Sequence, residues 1–181
     1  MLFLGRKSTD FQHKLNILLL NRKGKNMTKI EEFVKEQADK YGRRRDSLMP
    51  VLQAVVQSER FLSEDAMVAI ARELDLSTAD VFGTASFYTF MDTVPRGKNI
   101  IRICKTITCH MKGKDAIVNV LEDMLKIKLG ETTSDGLFSL LQANCLGWCH
   151  KGPVMLINDE VHPEITPEKA VEVVRGYLKK G

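Results

Sequence analysis

All four cysteines of this chain of 181 residues lie in two short pairs. Cys104-Lys-Thr-Ile-Thr-Cys109 has four residues between its thiols, Cys145-Leu-Gly-Trp-Cys149 has three, and 35 residues separate Cys109 from Cys145. A [2Fe–2S] cluster takes four thiolates, two on each iron, so two pairs brought together by the fold would complete it. That is the chemistry the spacing favours. Three others use the same residues. Structural zinc also binds four thiolates, but its pairs usually follow the tighter C-x2-C knuckle. Two disulfides would suit a small secreted domain, and no cleavable secretion signal is evident here. A thioredoxin-type redox pair needs C-x-x-C, which neither segment has.

The residues beside the cysteines carry secondary expectations. His110 and His150 each follow a cysteine, and Rieske-type centres do use histidine. With four thiols available, hydrogen bonding or solvent exposure is the expected role for both. Trp148, the only tryptophan of the chain, is placed to shield a cluster, to anchor a partner or simply to pack. Gly147 and Gly152 are expected to relieve crowding in the cysteine loop. Arg96, Lys98, Arg102, Lys105, Lys112 and Lys114 give the first pair a basic setting. They either favour the more negative, reduced cluster and dock a partner, or form a solvated rim.

The elements that must position these residues follow from periodicity. Ile30, Phe33, Val34, Gln37, Ala38 and Tyr41 keep helical spacing, with Gly42 as the stop. A second helix follows Ser47, with Leu48, Val51, Leu52, Val55 and Val56 on one face and Pro50 in its first turn. Ser63 caps a third, with Met67, Ile70, Ala71 and Leu74 facing the core. Ser77-Thr-Ala-Asp80 opens a short fourth through Val81 and Phe82. Residues 29–90 therefore read as a small antiparallel helical bundle.

Pro95-Arg-Gly97 marks a break, after which the pattern changes. Asn99–Cys104 reads as a strand, Lys114–Lys128 as a helix stopped by Gly130, and Leu137–Leu141 as a second strand. Pro153–Ile157 and Val161–Ile165 flank Asn158-Asp159-Glu160, a hairpin signal. Thr166 and Pro167 open the last helix, with Val171, Val174, Tyr177 and Leu178 inward. The order β-α-β-β-β-α is thioredoxin-like, with both cysteine pairs in loops beside strand ends. The expected class is α+β: a helical bundle over 27–94 and a thioredoxin-like [2Fe–2S] domain over 95–181.

Composition narrows the partners. The net charge of +4 is uneven, since residues 1–26 contribute +5 and the remainder −1. Overall charge does not support a nucleic-acid partner. The apolar run Ile17–Leu20 is far too short to span a bilayer. Residues 1–26 read as a disordered basic extension before a functional start at Met27, with an organelle transit peptide as the alternative. A cytoplasmic location is expected, or an organelle matrix in the transit-peptide case. No phosphate loop, no G-x-G-x-x-G after a strand and no Ser/His/Asp set supports catalysis within the chain.

Over residues 28–181 the chain resembles the small iron–sulfur subunit of the NADH dehydrogenase (complex I) family, the NuoE-like proteins. The same module occurs in NAD-linked multimeric hydrogenases and formate dehydrogenases. The residues that carry the likeness are Leu48-Met-Pro-Val-Leu-Gln, Ala85-Ser-Phe-Tyr88, Pro95-Arg-Gly-Lys98, Cys104-x4-Cys109-His110, Gly130–Phe138, Cys145-Leu-Gly-x-Cys149 and Asn158-Asp-Glu. The resemblance implies that Cys104, Cys109, Cys145 and Cys149 are the cluster ligands. It also implies one-electron transfer in an NAD(P)H-linked oxidoreductase, beside a flavin-bearing, NADH-binding (NuoF-like) subunit and a larger iron–sulfur catalytic subunit. Thr106, Ile107, Trp148 and His150-Lys151 depart from the residues common in that family. Two rival functions are a free-standing thioredoxin-like [2Fe–2S] ferredoxin and a zinc-stabilised interaction module.

Overall fold

A computed structural model describes residues 28–179. The expectations for residues 1–26 lie outside the described residues. The chain forms two compact units that meet between Pro95 and Arg96.

The first unit is helical: α1 spans Lys29–Tyr41, α2 Leu48–Glu59, α3 Glu64–Glu73 and α4 Thr78–Phe87. Each start is written locally. Thr28 and Glu31 form a reciprocal capping box, the Thr28 N–H donating to Glu31 at 2.8 Å. Ser63 and Ser77 accept from the Ala66 and Asp80 N–H groups at 3.2 and 3.1 Å, satisfying donors that the first turn leaves unpaired. Gly42 ends α1, its N–H on the Ala38 carbonyl at 2.9 Å. Ser47 differs: its hydroxyl donates to the Tyr41 carbonyl at 2.7 Å instead of capping α2.

Burial in this unit corrects two expectations. Tyr41 is largely exposed, because the phenol sits on the last turn where α1 leaves the core. In α3 every residue from Ala66 to Ala71 is buried, so this helix is covered all round rather than on one stripe. Leu52, Leu62, Met67, Ile70 and Leu74 are the unit's largest fully buried side chains.

The second unit begins with β1, Asn99–Cys104, followed by a one-turn helix α5, Ile107–Met111, and by α6, Lys114–Leu125. Strands β2 (Phe138–Ala143), β3 (Met155–Ile157) and β4 (Glu160–His162) lead to α7, Pro167–Leu178. Sheet order is β2-β1-β3-β4, with β1 parallel to β2 and antiparallel to β3, and β3 antiparallel to β4. Ile101, Ile103, Phe138, Leu140, Met155 and Ile157 from the sheet form one core with Ile117 and Leu121 of α6 and Ala170 and Val174 of α7. This is the expected thioredoxin-like order with two added turns, α5 and a 3₁₀ turn over Cys149–Lys151.

The boundaries moved for identifiable reasons. Helix α6 stops at Leu125, not Lys128: Lys126 is left-handed, and the Glu122 carboxylate captures the Leu129 N–H at 2.9 Å. Strand β4 ends at His162 because Pro163 has no N–H for the ladder. Glu160, expected in the turn, pairs with Ile157, and the turn narrows to Asn158 and Asp159 with Asn158 at φ 51°. Val171 is only half-buried and Leu178 is exposed, so α7 presents fewer inward residues than its pattern suggests.

Candidate metal centre

Cys104 is the last residue of β1, and its register partner Ala143 closes β2 two residues before Cys145. The parallel pairing of these strands therefore brings one cysteine of each pair to the same end of the sheet. Cys109 sits in α5 and Cys149 opens a 3₁₀ turn over Cys149–Lys151. The loop expectation is thus corrected for these two thiols. A single turn at each place folds the second cysteine back toward the first.

Backbone N–H groups aim at the sulfurs. Those of Thr106 and Leu146 favour the Cys104 thiolate, and that of Val154 the Cys109 thiolate. The Gly147 N–H donates to the Cys145 Sγ at 3.4 Å. Two of these influences cross between the pairs, since Leu146 follows Cys145 and Val154 lies beyond Cys149. A Cβ on Gly152 would come within 3.2 Å of the Cys109 Sγ and 3.7 Å of the Cys149 carbonyl, so this glycine is required by close approach, as expected. Gly147 has open space instead, and its φ of +80° is the constraint there.

The thiols are not equivalent. Cys104 and Cys109 are buried, whereas Cys145 and Cys149 are exposed with their sulfurs 4.0 Å apart. Burial pushes the Cys104 thiol up, but hydrogen bonds from the Thr106 hydroxyl and from the Thr106 and Leu146 N–H groups outweigh it, and the thiol lies below its ordinary value. Burial keeps Cys109 above its ordinary value despite the same hydroxyl. Cys149 is raised by its hydrogen bond to Cys145 and by that neighbour's charge, with smaller contributions from burial and from Cys104 and Cys109. Both halves of the site therefore sense each other.

Among the described residues no three His, Cys, Asp or Glu side chains converge tightly enough to hold a single ion. The two pairs lie near enough for Cys104 and Cys109 to bear on Cys149. A lone zinc needs all its sulfurs about 2.3 Å from one point, whereas a two-iron cluster takes one pair at each iron. The four thiols and their N–H donors fit the cluster.

The flanking residues sort differently from the sequence reading. The His110 Nδ1 lies 3.0 Å from Asp115, which also pairs with Lys114 at 3.0 Å. Hydrogen bonding by Lys114, then the charges of Lys114 and His110, hold the Asp115 carboxyl below its usual range. His150 stacks on Trp148, ring centroids 5.8 Å apart at 18°. Of the six basic residues assigned to the first pair, Arg102 and Lys114 are buried. Arg96 and Lys98 precede β1, at its opposite end from Cys104. Six residues of strand put Lys98 on the order of 20 Å away, beyond a screening length of about 8 Å. Lys105 and Lys112 are the exposed pair that remains near the thiols. Thr106 was singled out by its type only as a departure; its contact with sulfur had no signal in the spacing.

A thioredoxin-like sheet carrying two converging cysteine pairs at one end defines an iron–sulfur class of electron carrier. The family model for the thioredoxin-like [2Fe–2S] ferredoxin matches residues 34–178. The chain belongs to that family, whose cofactor is a [2Fe–2S] cluster. It is 42% identical over 124 residues to an NADH-quinone oxidoreductase subunit of Buchnera aphidicola subsp. Acyrthosiphon pisum, spanning 68% of this chain and 76% of that one. It is 35% identical over 153 residues to NADH-quinone oxidoreductase subunit 2 of Thermus thermophilus, spanning 83% and 84%. Among solved structures, an NAD+-reducing [NiFe]-hydrogenase superposes with a TM-score of 0.61 at 23% identity. That match covers 71% of this chain and 23% of the hydrogenase chain, and it speaks for the fold. Among the described residues no helix is long and apolar enough to cross a membrane.

Proposed function

We propose that Cys104, Cys109, Cys145 and Cys149 together hold one [2Fe–2S] cluster. On this reading the chain is a one-electron-transfer subunit of an NAD(P)H-linked multisubunit oxidoreductase, of the NADH dehydrogenase, hydrogenase or formate dehydrogenase type. Its partners are a flavin-bearing, NADH-binding subunit and a larger iron–sulfur catalytic subunit. It works in the cytoplasm, peripheral to a membrane complex. The domains we assign are 27–94 for the bundle and 95–181 for the cluster-bearing unit.

The observation that carries the reading is the parallel pairing of β1 with β2, which brings Cys104, at the end of β1, beside the loop of Cys145. The Leu146 backbone favours the Cys104 thiolate and the Val154 backbone that of Cys109, across the two pairs. A bound cluster supplies a site that takes up and gives back one electron at a time. The chain's own residues do the rest. The N–H donors hold the thiolates and offset negative charge on sulfur, burial of Cys104 and Cys109 excludes water from one half, and exposure of Cys145 and Cys149 leaves the other half open to a partner. The free-standing ferredoxin is the weaker reading, because the relatives are named as subunits of larger oxidoreductases.

Anaerobic purification tests the site. The protein is expected to be brown, with about two iron and two sulfide per chain, and to lose both when Cys104 or Cys149 is replaced by Ser. A colourless protein holding one tight zinc would overturn the reading. NADH alone is expected to leave the protein oxidised, since hydride chemistry needs a two-electron acceptor. Addition of the flavoprotein subunit should permit reduction. Rapid flavin-free reduction by NADH would refute the subunit role.

A further inference from the structure

Thr106 is the N-cap residue of α5, with the extended backbone usual for that position (φ −62°, ψ 155°). A threonine there ordinarily turns its hydroxyl toward the N–H groups of the first helical turn. Thr106 makes no such bond. Its Oγ1 lies instead 3.2 Å from the Cys104 Sγ. A thiolate has no proton to give, so in the ligand form the hydroxyl must be the donor. The side chain is half-buried, which limits competition from water. The same hydroxyl also bears on the Cys109 thiol, lowering it against the effect of burial. The other donors to sulfur described above are backbone N–H groups, which no side-chain replacement removes. Thr106 is the adjustable one.

We propose that Thr106 is a positioning residue that raises the reduction potential of the cluster through its hydroxyl. This rests on the cluster reading above. Reduction adds negative charge that is shared with the thiolate sulfurs. A hydrogen bond donated to sulfur strengthens as that charge grows, so it favours the reduced form. Spending the hydroxyl on sulfur leaves α5 without its side-chain cap, and a helix of one turn has little stability of its own to lose. The cap is given up where it matters least.

The test uses the full chain with its cluster, in wild-type form and as Thr106→Val, Thr106→Ala and Thr106→Ser. Midpoint potentials are read from dye-equilibrated titrations followed by visible absorbance and by the electron paramagnetic resonance signal of the reduced state. At a fixed ambient potential the Val and Ala variants should show a reduced-to-oxidised ratio lower by about threefold or more. For a one-electron couple that is a shift of about 28 mV to more negative potential, from 59 mV per tenfold. Thr106→Ser should return to within that margin of wild type. An unchanged potential in Val and Ala overturns the proposal, and so does a Ser variant that behaves like Val. Failure of Val and Ala alike to hold a cluster that Ser holds would also overturn it, since the hydroxyl would then build the site rather than tune it. A wild-type protein without a cluster would instead refute the reading beneath, before any variant is compared.

Discussion

Replacement of Gly97 by alanine should damage the second unit more than any other single methyl group. A Cβ at this position would lie 2.7, 2.9 and 3.0 Å from the carbonyl carbon, nitrogen and Cα of Phe138. All three are backbone atoms of the first residue of β2, which is held in register against Asn99 of β1. They cannot swing aside as a side chain could. The Gly97 N–H also donates to the fully buried Ser139 Oγ at 2.8 Å, and that hydroxyl shares a 2.6 Å contact with Thr132. Relieving the clash pushes the Gly97 segment off β2 and breaks this bond. Overpacking costs about 1–3 kcal/mol and stranding a buried polar group about 1–3 kcal/mol, so the loss should be about 2–6 kcal/mol. For a unit of this size each kcal/mol lowers Tm by about 4–8 °C. Gly176→Ala in α7 is the control: a Cβ there meets nothing within 4 Å, and alanine should stabilise the helix by about 0.5–1 kcal/mol. Thermal and urea unfolding of the cluster-loaded chain, followed by circular dichroism, measure both. A Gly97→Ala loss under about 0.5 kcal/mol, with the control behaving, would refute the argument from close approach.

Trp148 lies between two cysteines and is the only tryptophan, so its emission reports on the site. Removing the cluster with an iron chelator should raise that emission several-fold, and no rise would place the cluster elsewhere. The Tyr177 hydroxyl donates to Glu160 at 2.6 Å, and that bond, with burial and the carboxylate charge, pushes its pKa up to about 12 from 10.0. A raised pKa means the bond stabilises the fold fully below pH 10.0 and is lost as the pH climbs toward about 12. The stability gap between wild type and Tyr177→Phe should therefore stay level below pH 10.0 and close as the pH rises toward about 12; a gap that widens would contradict the pairing. A chain beginning at Met27 is expected to hold its cluster and its Tm, and a fall of several degrees would show that residues 1–26 contribute about 1 kcal/mol or more.

Much of the fold was legible because its signals are local. The caps at Ser63, Ser77 and Thr166 satisfy N–H groups within three residues of themselves, and each marks the helix start that the structure has. The apolar positions predicted for α2 are buried apart from half-buried Val56, and β1 is buried along its whole length. Ends were less legible wherever a distant atom competes with the local pattern. The Glu122 side chain stops α6 early, and the extended pairing of β2 with β1 carries that strand on to Ala143.

For the site, the sequence by itself supplied the donor set we propose: four thiols, paired, with none left over. Residue type supports that set, because cysteine alone among side chains offers anionic sulfur and a cluster takes four thiolates. Tertiary structure decided everything about how those thiols differ. Parallel pairing of β1 and β2 sets Cys104 beside the loop of Cys145, so that the Leu146 backbone favours its thiolate. The same assembly buries one pair and exposes the other, turns the Thr106 hydroxyl onto sulfur and leaves Lys98 a strand's length away. Hydrogen bonds, burial and screening depend on distances of a few ångströms between residues far apart in the chain, and spacing along a sequence carries no record of those distances.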